Sequence, residues 1–439
     1  MQQIETIIDA GWIIPVEPVG AVFENHSLVI DEGRIVGILP QAEAAAKYLS
    51  QHRVSLPQHA LIPGLVNCHT HAAMSLMRGL ADDLPLMSWL QDHIWPAEGK
   101  WVSEGFVYDG TRLAMAEMLR SGTTCFNDMY FFPDQAARAV NEAHMRACLG
   151  MIMIDFPSAW AQNADEYLHK GLALRDQVHN HPLITTAFAP HAPYTVSDAP
   201  LEKIQMYAEE LDVPIHMHVH ETDDEVGGEV SKTGKRPLAR LDALGLLSPR
   251  LMAVHMTQLH EDEIARLAET GVHVLHCPES NLKLASGFCP THALNQAGVN
   301  LALGTDGAAS NNDLDMLGEM RTAALIAKAV AYDASALAAP QALRTATLGG
   351  AKALGLDHEI GSLTVGKAAD ITAIHLGDIE SLPVYNPISQ IVYTAGRNQV
   401  TDVWVAGKRL LKDRRLTTLD EAEMRAKARE WQARLKQFD

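Results

Sequence analysis

The stretch Pro63-Gly-Leu-Val-Asn-Cys-His-Thr-His71 sets two histidines, His69 and His71, two residues apart. Side chains on an extended segment alternate faces, so both imidazoles point the same way and can offer neutral nitrogens to one metal ion. A lone pair of this kind arises by chance, and a single strand histidine is more often a satisfied core residue. Further clusters change that balance. His216-Met-His-Val-His-Glu-Thr222 carries three more histidines followed by a carboxylate, Ala253-Val-His255 adds another, and Leu303-Gly-Thr-Asp-Gly307 contributes an aspartate. Three His and one Asp suit a divalent cation such as zinc and leave a position for water, which then ionises near neutral pH and becomes a nucleophile. Iron(II) accepts the same donors. Period two puts His216, His218 and His220 on one face, so parity does not choose among them. His218 stands three residues before Glu221, which places that carboxylate beyond the ligand and over a substrate. His216 would lie one layer deeper, in a hydrogen-bonded core role, and His220 is the main competitor.

These residues need a scaffold that brings strand ends together. Apolar, strand-like runs recur at Ala60–Asn67, Thr123–Met129, Arg146–Ile154, Leu183–Pro190, Pro214–His220, Leu251–Met256, Val272–Cys277 and Asn300–Thr305. Helix-like stretches lie between them, such as Glu104–Arg120, Asp198–Leu211, Glu261–Glu269 and Leu314–Val330, and Gly122 and Gly271 supply the left-handed stops expected after two of them. Eight strands alternating with helices predict a (β/α)8 barrel, a fold whose chemistry sits at the carboxyl ends of its strands. The histidines and Asp306 fall at those ends. No glycine-rich dinucleotide fingerprint follows the first strand, which argues against a doubly wound sheet.

The ends of the chain have a different texture. Residues 1–59 are short-period and strand-like, with Glu32-Gly33 as a hairpin signal between His26–Asp31 and Arg34–Leu39. Strand-like runs return at Asp370–His375, Gln390–Thr394, Val403–Val405 and Arg409–Leu411. This predicts a small β-sandwich domain built from residues 1–59 and 365–439 around a catalytic barrel over 60–364. The last stretch, Asp420 to Phe438, reads as a surface helix with Trp431 and Leu435 one turn apart.

The whole-chain numbers bound the partners. With 35 basic against 54 acidic residues and a net charge of −19, the chain is a poor nucleic-acid binder, although an uncharged nucleoside stays open. The first residues lack the basic and apolar regions of a secretory signal, and no run approaches a membrane span, so a cytoplasmic enzyme is expected. The five cysteines are dispersed with no CxxC pair, as in a reduced protein without a disulfide framework.

Taken together, PGLVNCHTH with the following MSLMRGLADD, HIWPAEGKW (93–101), APHAPYT (189–195), HMHVHET (216–222), AVHMTQL (253–259), LGTDGAASNNDLDM (303–316) and IGSLTVGKAAD (360–370) resemble the amidohydrolase superfamily. Within it they are most similar to the 5′-methylthioadenosine/S-adenosylhomocysteine deaminases, over essentially the whole chain. The resemblance implies one zinc per subunit held by His69, His71, His218 and Asp306. Binuclear relatives carry a carboxylated lysine on the fourth strand, and the segment ITTAFAPHAPY has none, so one metal is expected. It further implies attack of metal-activated water on C6 of an adenine ring. Asp306 would orient that water and take its proton, Glu221 would serve ring N1 and the departing ammonia, and His255 would polarise the reacting centre. For the substrate it implies Glu98 on the ribose hydroxyls and His191 beside the purine, and Trp89 could wall the 5′ side. A homo-oligomer, dimer or tetramer, is implied as well.

One departure bears on substrate choice. Relatives that take S-adenosylhomocysteine place arginines after the third strand, whereas Met151-Ile-Met-Ile-Asp-Phe-Pro-Ser158 has none. An anionic tail would lack its charge-assisted partner, so methylthioadenosine is the favoured substrate, ahead of S-adenosylhomocysteine and adenosine. The rival readings are a triazine chlorohydrolase or guanine/cytosine-type deaminase, neither of which needs a diol-binding Glu98. A catalytically inactive scaffold barrel is a third, and it would have no reason to keep every ligand.

Overall fold

The computed structural model describes residues 1–436. The chain opens with four strands, β1 (Gln2–Ile13), β2 (Phe23–Asp31), β3 (Arg34–Pro40) and β4 (Tyr48–Pro63). Glu32 and Gly33 both adopt positive φ, the two-residue turn whose twist matches that of flanking antiparallel strands. β4 runs parallel to β1, with Ile8 beside Val54 and Ile13 beside Leu61. Ala60–Pro63 therefore belong to this first sheet, and the first barrel strand starts later than the apolar run suggests. The switch falls at Gly64, where a Cβ would lie only 2.0 Å from the Thr124 side chain. A continuous apolar run hides such a boundary, since both sheets bury it.

Eight parallel strands follow: β5 (Leu65–Thr70), β6 (Thr123–Asp128), β7 (Arg146–Met153), β8 (Ile184–Pro190), β9 (Ile215–Val219), β10 (Leu251–His255), β11 (His273–His276) and β12 (Leu301–Leu303). They lie side by side in chain order, as successive crossovers of one hand require. The ring closes between β12 and β5. The Asp306 N–H donates to the His69 carbonyl at 2.9 Å, and the Thr305 N–H donates to Asn67 Oδ1 at 3.0 Å. Gly304 makes this approach possible, because a Cβ there would stand 2.7 Å from His69. Two metal-type residues thus sit on opposite sides of the closing seam.

The chain then returns to the first sheet with β13 (Ile371–His375), β14 (Val400–Val405), β15 (Lys408–Lys412) and β16 (Arg415–Leu416). β13 pairs antiparallel with β4, so strands from both ends make one mixed sheet in the order β16-β15-β14-β13-β4-β1-β2-β3. Gln390–Thr394, expected as a strand, instead forms the last turn and C-cap of a helix over Pro387–Tyr393. The Asn386 side chain accepts from the Ser389 N–H, Pro387 occupies the first turn, and Ile388, Ile391 and Val392 are buried together. That 3–4 spacing and cap are helical signals, masked by the β-branched residues. The final helix, Glu421–Leu435, is docked on the barrel. Trp431 packs edge-on to Phe106 at 5.2 Å and donates its indole N–H to Asp109. Phe438 lies outside the described residues.

A buried ion pair ties the two sheets. Arg146 of β7 meets Asp370, just before β13, through Nε and Nη2 at 2.9 and 3.1 Å, and Asp370 also accepts from the Ala406 N–H. Both side chains are under 5% exposed. Asp370→Ala would strand a buried guanidinium, and we expect it to lower stability by about 3–5 kcal/mol, read as a fall in urea midpoint. A change below about 1 kcal/mol would mean that solvent reaches Arg146. No helix among the described residues is long and apolar enough to cross a membrane.

Candidate active site

At the carboxyl ends of the barrel strands, donor atoms of His69, His71, His218 and Asp306 all lie within 4.8 Å of one another. His69 and His71 come from the end of β5, His218 from β9, and Asp306 from the loop after β12. His69 Nε2 and His71 Nε2 stand 3.2 and 3.3 Å from Asp306 Oδ1, and His218 Nε2 is 3.1 Å from His69 Nε2. The opposite ring nitrogens are all engaged. His71 Nδ1 lies 2.6 Å from the Met129 carbonyl and His218 Nδ1 lies 2.7 Å from the His191 carbonyl. A carbonyl only accepts, so each of these Nδ1 atoms carries a proton and Nε2 is the nitrogen turned toward the cluster. Burial pushes the His69 imidazole down to about 4 and that of His218 well below its ordinary value. Three imidazole nitrogens converging with a carboxylate on one point form a donor set that calls for a cation at their centre. The donors fit zinc.

The three histidines of β9 and its continuation have separate fates. His216 lies one layer deeper and meets His69 Nδ1 through Nε2 at 2.8 Å. His220 points away from the metal donors, where its Nε2 accepts from the Leu238 N–H at 3.1 Å. The reason is local: the strand ends at Val219 and His220 has φ +54°, so the alternation of faces stops one residue too early for it.

Asp306 Oδ2 accepts a hydrogen bond from Ser280 Oγ at 2.6 Å, and Oδ1 accepts from the Gly307 N–H at 2.8 Å. Burial pushes the acid up, but the His69 hydrogen bond and the neighbouring histidines outweigh it and hold Asp306 well below the usual carboxylate range. His255 stacks on His218 at 5.4 Å and directs Nδ1 to Asn281 Oδ1 at 2.8 Å. Its Nε2 is 3.7 Å from Glu221 Oε2. Glu221 is buried, and that burial together with the charge of Asp306 pushes its carboxyl up to about 8. It therefore carries a proton at neutral pH. Glu225 fixes its backbone, accepting the N–H of His220 at 3.2 Å and that of Glu221 at 2.6 Å.

A cavity of about 470 Å³ opens from this cluster. Glu98 lies on its wall, in the helix Trp95–Trp101, and accepts from Tyr130 Oη at 2.7 Å. His191 faces the same space with Nδ1 3.1 Å from Thr195 Oγ1. Trp89 lines the cavity and is also anchored, its indole N–H donating to the Ala81 carbonyl at 3.2 Å. Every residue singled out from the sequence as a site residue thus borders or underlies one space. Sequence reading missed Ser280, Asn281, Glu225, Thr195 and Tyr130. The adjacent Ser280-Asn281, following Cys277-Pro278 at the end of β11, was the available signal: polar residues just past a barrel strand.

A model of the amidohydrolase family matches residues 60–410. The 5-methylthioadenosine/S-adenosylhomocysteine deaminase of Teredinibacter turnerae is 55% identical over 432 residues, covering 98% of each chain. A crystal structure of an adenosine deaminase from Xanthomonas campestris with bound zinc is 55% identical and superposes with a TM-score of 0.98 over 99% of each chain. An atrazine chlorohydrolase from Arthrobacter aurescens TC1 complexed with zinc has a TM-score of 0.91 over 97% of this chain and 99% of its own. At 23% identity that last likeness speaks for the fold alone. With its closed barrel, its sheet from both chain ends and its His3Asp cluster, the chain belongs to the amidohydrolase family.

Proposed function

We propose that this protein is a zinc-dependent aminohydrolase that converts an adenine nucleoside to its inosine counterpart and ammonia, with 5′-methylthioadenosine preferred. The observation that carries this reading is that the His3Asp cluster, the buried carboxyl of Glu221 and a second carboxylate, Glu98, border one cavity large enough for a nucleoside. Zinc held by His69, His71, His218 and Asp306 supplies a Lewis acid that lowers the pKa of water.

The chain's own groups do the rest. Asp306 is ionised and clamped by Ser280, so it takes the proton of the attacking water. Glu221 gives its proton to ring N1, which makes C6 electrophilic. It then takes up the proton of the new C6 hydroxyl and passes it to the amine, which leaves as ammonia. The first water proton, held by Asp306, restores the acid for the next turnover. His255 has its Nδ1 proton committed to Asn281, which leaves Nε2 to accept a hydrogen bond at the reacting centre. His191 sits beside the purine, Glu98 accepts from the ribose 2′- and 3′-hydroxyls, and Trp89 walls the 5′ side. Among the described residues no lysine or arginine lines the cavity, while Ile152, Ile154 and Phe156 do. A methylthio group suits that wall better than the charged tail of S-adenosylhomocysteine.

Ammonia release from zinc-loaded protein tests the reading against 5′-methylthioadenosine, S-adenosylhomocysteine, adenosine, guanine and a chlorotriazine. Preferred turnover of methylthioadenosine supports it, and turnover of guanine or the triazine alone overturns it. Glu98→Ala should raise KM for nucleosides by about 10–100-fold and leave free adenine within about twofold. Burial pushes the Glu98 carboxyl up to about 7, and only its anion accepts from two hydroxyls. Nucleoside KM should therefore rise as pH falls through 7 and level off above it. A KM independent of pH would remove Glu98 from the diol.

A further inference from the structure

Tyr130 has no part in the chemistry derived so far, yet it occupies a singular place. It follows β6, the strand beside the one that carries His69 and His71, whereas Glu98 arrives on the excursion between β5 and β6. Its hydroxyl donates to Glu98 Oε1 at 2.7 Å, and no other side-chain hydrogen bond to that carboxylate is formed among the described residues. The ring is 5% exposed, 6.4 Å from the His71 ring and 5.4 Å from that of Phe131. The phenol is thus a rigid strut between the barrel rim and a carboxylate on a separate element.

We infer that Tyr130 is a positioning residue that makes the site selective for a cis-diol, so that ribosides are distinguished from 2′-deoxyribosides. This rests on the nucleoside reading above. A carboxylate meets two vicinal hydroxyls well only when both oxygens face them, and a free glutamate samples rotamers that present one. The Tyr130 hydrogen bond pins Oε1 by one lone pair, leaves its second lone pair and all of Oε2 for the substrate, and fixes the distance from the diol anchor to the metal donors. Losing the strut should weaken the diol contacts while Asp306, Glu221 and the metal donors stay in place.

The test is Tyr130→Phe in the zinc-loaded protein. Equilibrium binding of 5′-methylthioinosine and of its 2′-deoxy counterpart is measured by calorimetry, alongside kcat and KM for the matching substrates. The riboside should bind about 10-fold more weakly and its KM should rise by the same factor. Its kcat should stay within about threefold, and the deoxy compound should change by less than about twofold. Glu98→Gln should lose the same discrimination with Tyr130 intact, and the double variant should be no worse than Glu98→Gln alone. Equal weakening of both ligands, or additive losses in the double variant, would overturn the inference. Wild-type protein that binds neither nucleoside would overturn the nucleoside reading itself.

Discussion

Glu221→Gln is expected to keep its zinc and lose turnover, with kcat lower by about 10²–10⁴-fold. The side chain is not one of the four convergent donors, and Gln preserves its size. The amide can still hydrogen-bond to ring N1, but it cannot transfer a proton there or to the leaving amine. Zinc content by atomic absorption and kcat on methylthioadenosine are the two readouts. Zinc lost together with activity would show Glu221 to be a support for the metal cluster and would cancel its role as acid.

His218→Ala should do the reverse, losing metal and activity as one event. Partners of metal ligands cost about 10–100-fold in affinity when removed, so deleting a ligand itself should exceed that range. His216→Ala offers the internal comparison. It removes only the group behind His69 Nδ1, and its zinc affinity should fall within that range while measurable turnover returns at high zinc. His220→Ala should leave zinc affinity near that of the wild type, since its ring caps the Leu238 amide. Competition with a chromophoric chelator orders the three. If His220→Ala lost zinc as fully as His218→Ala, the two side chains would have to exchange places.

The order of those three histidines marks how far sequence alone reaches. Alternation along a strand narrows the ligand to one face, but where the strand stops is decided by the backbone. His220 leaves the face through a left-handed residue that nothing in HMHVH announces. The barrel was legible because eight short, largely apolar runs alternate with stretches of helical periodicity. Glu104–Arg120 and Asp198–Leu211 have the bounds the sequence suggested. Pro387–Tyr393 was not legible as a helix, since Ile388, Ile391 and Val392 favour strands in isolation and only their spacing and the Asn386 cap say otherwise. Tyr130, Ser280 and Glu225 belong to another class. Each acts on a residue from a different segment or on a neighbour's backbone, so its meaning exists only once the ring has closed.

The sheet shared by both chain ends has a consequence for how the protein is made. β4 can pair with β1 once both have left the ribosome, but its other edge is reserved for β13, about 300 residues later. At about 5–20 residues/s, that edge stays open for roughly 15–60 s, long enough for another nascent chain to add to it. The barrel can be strung together in the meantime, strand by strand, while the first sheet waits half-built. Slower synthesis lengthens that interval in proportion, so the unpaired edge of β4 is the place where the growing chain is most open to a wrong partner.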